Sequence, residues 1–248
     1  MEGSVALVTG GSRGIGKAIS LRLAKAKARL LINFFQNRTE AEKTAEDIVS
    51  LGAEVRLFQA DLKDETQIRA MFGEVDAHYG RLDVLVHSAA SGVLRSVVDL
   101  TAKQWDWVMN TNVRSFFLCA REAASRMHEG GRIIALSSIG SNRVIPEYGI
   151  IGISKAAVES LTRYLAVELG PKGISVNAIS AGAVPTDVWN LVPDGQEMLE
   201  RVRQRTPCGR LLTAEEIAEF VYFLSGPHAR MIQGQVIVVD GGYSLAAL

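Results

Sequence analysis

A tyrosine and a lysine stand seven residues apart in the stretch EYGIIGISKAAVESLTRYLAVEL, Glu147 to Leu169. Its periodicity predicts one helix over 149–169. On a helix, seven residues span about 10.5 Å and return to within about 20° of the same face. Tyr148 and Lys155 therefore point toward one place, although Gly149 and Gly152 allow an irregular first turn. A phenol and an ammonium so placed can supply hydrogen bonds, positive potential and a proton to an oxygen on which negative charge develops. The bland alternative for Tyr148 is a packing aromatic. A second stretch, TGGSRGIG (Thr9 to Gly16), joins a strand to a helix. Gly10, Gly14 and Gly16 follow a G-x3-G-x-G spacing, which differs from the common G-x-G-x-x-G fingerprint but shares its physics. Glycines allow a tight turn and close backbone approach, and the free N–H groups of a helix start bind a pyrophosphate. Ser12, Arg13 and Ile15 lie in the same loop. The second strand ends in NFFQNRTE, with no acid before Glu40 to hold ribose hydroxyls and repel a 2′-phosphate. Arg13 and Arg38, with Asn37 beside the latter, can flank that phosphate through charge-assisted hydrogen bonds. The cofactor this favours is NADPH. Read without a ligand, the same residues are a glycine turn and two solvated arginines, but the position at the first strand-to-helix junction favours the cofactor.

The elements that position these groups follow from the apolar pattern. Strands are expected at 5–9, 30–34, 54–60, 83–87, 132–137, 174–179 and 235–240, several of them apolar on successive residues. Such runs suit strands buried on both faces of a parallel sheet. Helices are expected at 15–28, 39–51, 64–79, 101–127, 149–169, 196–205 and 213–224, with capping boxes at Thr101/Gln104 and Thr213/Glu216. This alternation implies an α/β chain with a doubly wound parallel sheet and right-handed crossovers. No linker or repeat divides it, so residues 1–248 read as one domain. The 248 residues are 48% hydrophobic and 22% charged, enough for one large core. Lys plus Arg and Asp plus Glu number 27 each, which argues against nucleic acid or a membrane surface as partner. Cys119 and Cys208 form no disulfide framework and no metal site is spaced out in the sequence. With no signal peptide and no membrane-spanning run, a cytoplasmic enzyme is expected.

Taken together, the motifs resemble the short-chain dehydrogenase/reductase family over nearly the entire chain. They are TGGSRGIG, Asp61 and Leu62 after the third strand, Asn112 in MNTNVRSFF, Ser138 in ALSS, Lys155 and the closing VVDGG. The resemblance implies a single-domain Rossmann fold with a seven-stranded parallel sheet flanked by helices. It implies that Asp61 meets the adenine amino group and that Lys155 binds the nicotinamide ribose. Asn112 is implied to hold the long central helix in place and a water near Lys155. Where the family carries NNAG, this chain has HSAA, His87 to Ala90. Ala89 and Ala90 keep the small residues at the nicotinamide side, whereas His87 and Ser88 depart, and His87 reads as a structural residue at a strand end. Thr186 matches the contact to the cofactor amide, although the usual proline-glycine lead-in is Ala181-Gly182.

In common members a Tyr-x3-Lys pair reduces carbonyls, but here Ile151 stands four residues before Lys155 and cannot donate a proton. The Tyr-x6-Lys spacing of Tyr148 and Lys155 is the signature of the family's enoyl reductases. The surrounding text is similar to the type III enoyl-acyl-carrier-protein reductases of bacterial fatty-acid synthesis, and to enoyl-CoA reductases of specialised acid pathways. Geometry agrees with that branch. When hydride adds to the β-carbon of an unsaturated thioester, the oxygen that gathers charge lies beyond the attacked carbon, so its donor must stand farther out. Ser138 is given a supporting role. Its gap to Tyr148 is ten residues where thirteen is usual, so the pair need not act on one oxygen. Residues 181–210, interrupted by Pro185, Pro193 and Pro207, are expected to form a lid in which Trp189, Leu191 and Val192 cover an acyl chain. The resemblance also implies a homotetramer built through the long helices and the C-terminal strand, and the apolar tail YSLAAL (Tyr243–Leu248) is compatible with an interface. Two rivals remain at this point: a carbonyl reductase using Tyr148 in another pose, and a cofactor-binding regulatory protein without catalysis.

Overall fold

The structure, a computed structural model, describes residues 1–192 and 194–245. Seven strands, β1 (Val5–Thr9), β2 (Arg29–Phe34), β3 (Val55–Gln59), β4 (Val84–His87), β5 (Arg132–Ser138), β6 (Ser175–Ala181) and β7 (Val236–Val239), form one sheet in the order β3-β2-β1-β4-β5-β6-β7. Every neighbouring pair is parallel. Along β1 the side chains alternate between two buried cores: Val5 and Leu7 enter one, Ala6 and Val8 the other. Covering both faces with helices is what makes these strands read as unbroken apolar runs.

On one face lie α3 (Glu65–Tyr79), α5 (Ser115–Ala124) and α6 (Gly149–Leu169), which bury Met71, Phe72, Phe116 and Val158. On the other lie α1 (Gly14–Lys25), α2 (Arg38–Ser50) and α8 (Ala214–Ser225), which bury Ile19, Leu23, Ile48 and Val221. Strand order reverses between β1 and β4, and this opens a crevice outside their carboxyl ends where ligands of such sheets bind.

The expected helix over 101–127 is instead three pieces: α4 (Ala102–Met109), a π-helical turn over Asn110–Arg114, and α5. Thr111 Oγ1 donates to the Trp107 carbonyl at 2.8 Å, and the Ser115 hydroxyl donates to the Thr111 carbonyl. Hydroxyls that take backbone acceptors in this way loosen the regular ladder. The region expected as a lid contains a 3-10 turn (Asp187–Leu191) and α7 (Gly195–Arg205), with Trp189 Nε1 donating to the Val184 carbonyl at 2.8 Å. Pro193, Ala246, Ala247 and Leu248 lie outside the described residues, as does the Leu191 side chain. Both capping boxes are present. Removing the one that starts α8, by Thr213→Ala, is expected to cost about 1 kcal/mol in a denaturant titration, since the Glu216 N–H loses its acceptor.

Candidate active site

The glycine loop follows β1, and its conformation is one that only glycine adopts easily. Gly10 and Gly14 have φ of +62° and +52°. A methyl at Gly16 would stand 2.1 Å from the Gly10 carbonyl oxygen, so the loop closes on itself through the missing side chain. Helix α1 then starts at Gly14 with no side-chain cap and no acid in its first turn, which leaves its N–H groups free for an anion. The Ser12 carbonyl accepts from Thr44 Oγ1 at 2.8 Å, pinning the loop to α2. Thr186 lies over Gly14, and the Ala89 backbone packs against Gly10. Strand ends β1 and β4 and the segment after β6 thus meet around one cradle, which fits the diphosphate of a dinucleotide.

At the adenosine end, Arg13 and Arg38 are both exposed. Arg38 Nη2 donates to Gln59 Oε1 at 3.3 Å, and its guanidinium lies 5.6 Å from the Phe34 ring centroid. Asn37 sits in the left-handed region and caps α2 by accepting from the Glu40 N–H at 3.1 Å. Asp61 Oδ1 accepts from the Lys63 N–H at 3.0 Å and is half-buried. The Leu62 side chain belongs to the core beside Ile68 and Phe72, so only its backbone can reach a ligand. Ile15 is half-buried at the start of α1.

Three consecutive residues at the end of β5 hold α6. The Leu136 carbonyl accepts from Lys155 Nζ at 2.8 Å, Ser137 Oγ donates to Glu159 Oε1 at 2.6 Å, and Ser138 Oγ accepts from the Tyr148 hydroxyl at 3.4 Å. The last contact pairs two hydroxyls whose sequence gap of ten residues, in place of the usual thirteen, does not require them to meet. The ten residues between Ser138 and Tyr148 fold into a 3-10 turn (Ile139–Ser141) and a return loop, which bring the two hydroxyls together. Gly140 makes room, since a methyl there would stand 2.6 Å from Tyr148 Cε1. Glu147, immediately before the tyrosine, is held at φ +61° while its carbonyl accepts from the Arg95 N–H at 2.7 Å. A non-glycine residue is uncommon in that region, and the turn it makes leads directly into Tyr148 at the start of α6.

Ser138 Oγ also accepts from the Gly140 N–H at 3.2 Å, so its own proton is free for an external oxygen. Tyr148 is the N-cap of α6, a helix with no side-chain cap and no acid in its first turn. The positive end of a 21-residue helix therefore lies beside the phenol. Burial raises the phenol's pKa, which keeps it protonated at neutral pH. Lys155 is buried, and desolvation pulls its ammonium down to about 8. Ile151 packs on the loop after β4, where a methyl at Gly92 would stand 2.4 Å from Ile151 Cδ1. Asn112 brackets that loop to α6: its amide accepts from the Ser91 N–H (2.8 Å) and donates to the Ser91 carbonyl (2.9 Å) and Ser154 Oγ (2.9 Å). None of these bonds goes to Lys155. His87 is buried at the end of β4, with Nε2 2.9 Å from Ser115 Oγ. Because Ser115 gives its proton to Thr111, His87 must be the donor.

Two residues that the sequence reading passed over complete the frame. Thr9 Oγ1 accepts from the Ser88 and Ala89 N–H groups, both at 3.1 Å, and fixes the end of β4. Asn33, buried in β2, donates to the Ala60 carbonyl at 3.2 Å and accepts weakly from the Gly10 N–H at 3.4 Å. Its signal was a lone amide inside an apolar strand.

Residues 10–244 match the family model described as "Enoyl-(Acyl carrier protein) reductase". The chain belongs to the short-chain dehydrogenase/reductase family. It is 40% identical over 247 residues to the 1-cyclohexenylcarbonyl-CoA reductase of Streptomyces collinus, covering 98% of this chain and 88% of that one. It is 36% identical over 254 residues to the hydroxynaphthalene reductase-like protein Arp2 of Metarhizium anisopliae, covering 98% and 95%. Among solved structures, a short-chain dehydrogenase from Burkholderia cenocepacia in complex with NADP superposes with a TM-score of 0.90 at 36% identity, covering 98% of each chain. As a short-chain dehydrogenase/reductase, this protein is an oxidoreductase whose fold binds a nicotinamide dinucleotide. Among the described residues no group of acidic, histidine or cysteine side chains could hold a metal ion, and no helix is long and apolar enough to cross a membrane.

Proposed function

We propose that this short-chain dehydrogenase/reductase reduces the trans-2 double bond of enoyl thioesters with NADPH. The observation that carries the reading is the exchange of roles along α6. Ile151 fills the inner position with hydrocarbon, while Tyr148, one turn farther out, shares a hydrogen bond with Ser138. Gly10, Ser12, Arg13, Gly14, Ile15, Gly16, Asn37, Arg38, Asp61, Leu62, Ala89, Lys155 and Thr186 would hold the cofactor, which when bound supplies hydride to the β-carbon.

Charge then gathers on the thioester oxygen. The hydroxyls of Tyr148 and Ser138 and the start of α6 meet it with donors and positive potential, and Lys155 adds its ammonium charge. The Tyr148–Ser138 bond is long, so it yields readily to a better acceptor. A proton from Tyr148 or solvent completes the saturated product at the α-carbon. Asn112 keeps the loop after β4 against α6, and residues 181–210 close over the acyl chain. The motif text favours acyl-carrier-protein thioesters. A second reading, a coenzyme A thioester, is favoured by the name of the Streptomyces relative. Assays with crotonyl-carrier protein and crotonyl-CoA, read as loss of NADPH absorbance, separate the two; acetoacetyl thioesters test the carbonyl rival. Turnover of neither class would sink the catalytic reading.

NADPH over NADH rests on the two exposed arginines and the absence of an acid before Glu40. Arg38→Ala is expected to weaken NADPH binding about 10–100-fold, the worth of a charge-assisted bond, and to leave NADH unchanged. Equal losses for both cofactors would remove Arg38 from phosphate recognition. A homotetramer fits the apolar side chains that stand exposed on α6 (Tyr164, Val167) and on β7 (Val238), and a cytoplasmic location fits the substrate.

A further inference from the structure

Lys155 is a buried cation, and one carboxylate answers it. The elements around it are otherwise neutral. His87 from β4 is uncharged, since burial and the lysine itself drop its pKa to about 3. The Tyr148 phenol is protonated, β5 offers the Leu136 carbonyl, and Asn112 is an amide bonded elsewhere. Among the described residues, Glu159 is the carboxylate whose charge acts on Lys155. It lies four residues along α6, on the same helix face. It is half-buried, and Ser137 Oγ holds it at 2.6 Å, so the carboxylate is anchored to the strand that also binds the lysine.

We infer that Glu159, tied down by Ser137, is a positioning residue that keeps the buried Lys155 charged and directed toward the cofactor ribose. This rests on the proposed role of Lys155, and it adds a residue pair that no motif of the chain singled out. The physics is a balance. Burial disfavours the ammonium, whereas an opposite charge one helical turn away favours it. Without the carboxylate, desolvation acts unopposed and the lysine loses its proton at a lower pH. Ser137 matters because a free glutamate would swing into water, where its field is screened.

The test is NADPH affinity, read by cofactor fluorescence from neutral to alkaline pH, for the wild type, Glu159→Gln, Glu159→Asp and Ser137→Ala, with Tm measured on each. The wild type should lose affinity as pH rises through the region of about 8, where Lys155 discharges. Glu159→Gln should move that limb about 1 pH unit lower, which is about tenfold weaker binding at mildly alkaline pH. Glu159→Asp, which keeps the charge, should restore most of the limb, and Ser137→Ala should shift it partway. A Glu159→Gln protein with a lowered Tm but an unmoved limb would reduce Glu159 to a structural contact and overturn the inference. A wild type with no alkaline limb would overturn it together with the role of Lys155. Because binding is read without turnover, a limb that moves as expected supports Glu159 even if crotonyl thioesters prove not to be substrates.

Discussion

Tyr148→Phe is expected to lower kcat/KM for a crotonyl thioester by about 10²–10³-fold, the usual cost of removing one donor from a developing oxyanion. NADPH affinity should stay nearly unchanged. The change removes one oxygen while keeping the ring that packs over Gly140. The fold therefore has no reason to yield. Ser138→Ala should cost less, because the tyrosine keeps its own proton and can turn to the substrate. The pH profile should carry the same message. Burial raises the phenol's pKa, so Tyr148 stays a donor throughout the neutral range, and the alkaline loss of activity belongs to Lys155 near about 8. Steady-state rates for the wild type and the variant on crotonyl and acetoacetyl thioesters check this. A Tyr148→Phe protein with full crotonyl activity would remove the tyrosine from the chemistry. Activity on the acetoacetyl thioester alone would mean that the site reduces carbonyls.

The sheet was readable because its physics is local. A strand covered on both faces must be apolar on successive residues, and VALVT falls on Val5–Thr9 as expected. Helix starts were readable where a hydroxyl and a glutamine or glutamate stood three residues apart, at Thr101 and Thr213. The glycine loop was readable because close approach excludes side chains, as Gly16 shows. What the sequence hid depends on chain paths that no short window contains. The contact between Ser138 and Tyr148 needs Glu147 in a left-handed conformation and a bare Gly140 beneath the ring. The π-helical turn at Asn112 needs two hydroxyls taking backbone acceptors in register. Glu159 carries no motif in the sequence, and only the fold sets Ser137 against it. Asn33 could have been noticed, since an amide in a buried strand needs partners, but which backbone groups it joins depends on how β1, β2 and β3 end together.

Gly16→Ala should have the second large effect, and its sign can be set against a control in the same chain. The new methyl would stand 2.1 Å from the Gly10 carbonyl oxygen and 2.9 Å from its carbon, and both are backbone atoms that cannot turn aside. Either α1 must tilt off the sheet or the Gly10 turn must open, and the turn's φ of +62° leaves it few other shapes. Overpacking of this kind costs about 1–3 kcal/mol. The same displacement moves the free N–H groups of α1 away from the diphosphate, so dinucleotide affinity should fall about 100-fold or more. Gly73, inside α3, meets the opposite circumstance, with nothing within 4 Å of an added methyl. Gly73→Ala should therefore stabilise the protein by about 0.5–1 kcal/mol through helix propensity alone. Denaturant titrations and cofactor binding on the two variants give the comparison directly. If Gly16→Ala binds NADPH as tightly as the wild type, the diphosphate does not lie in the cradle between Gly10 and Gly16, and the anion site at the start of α1 must be given up.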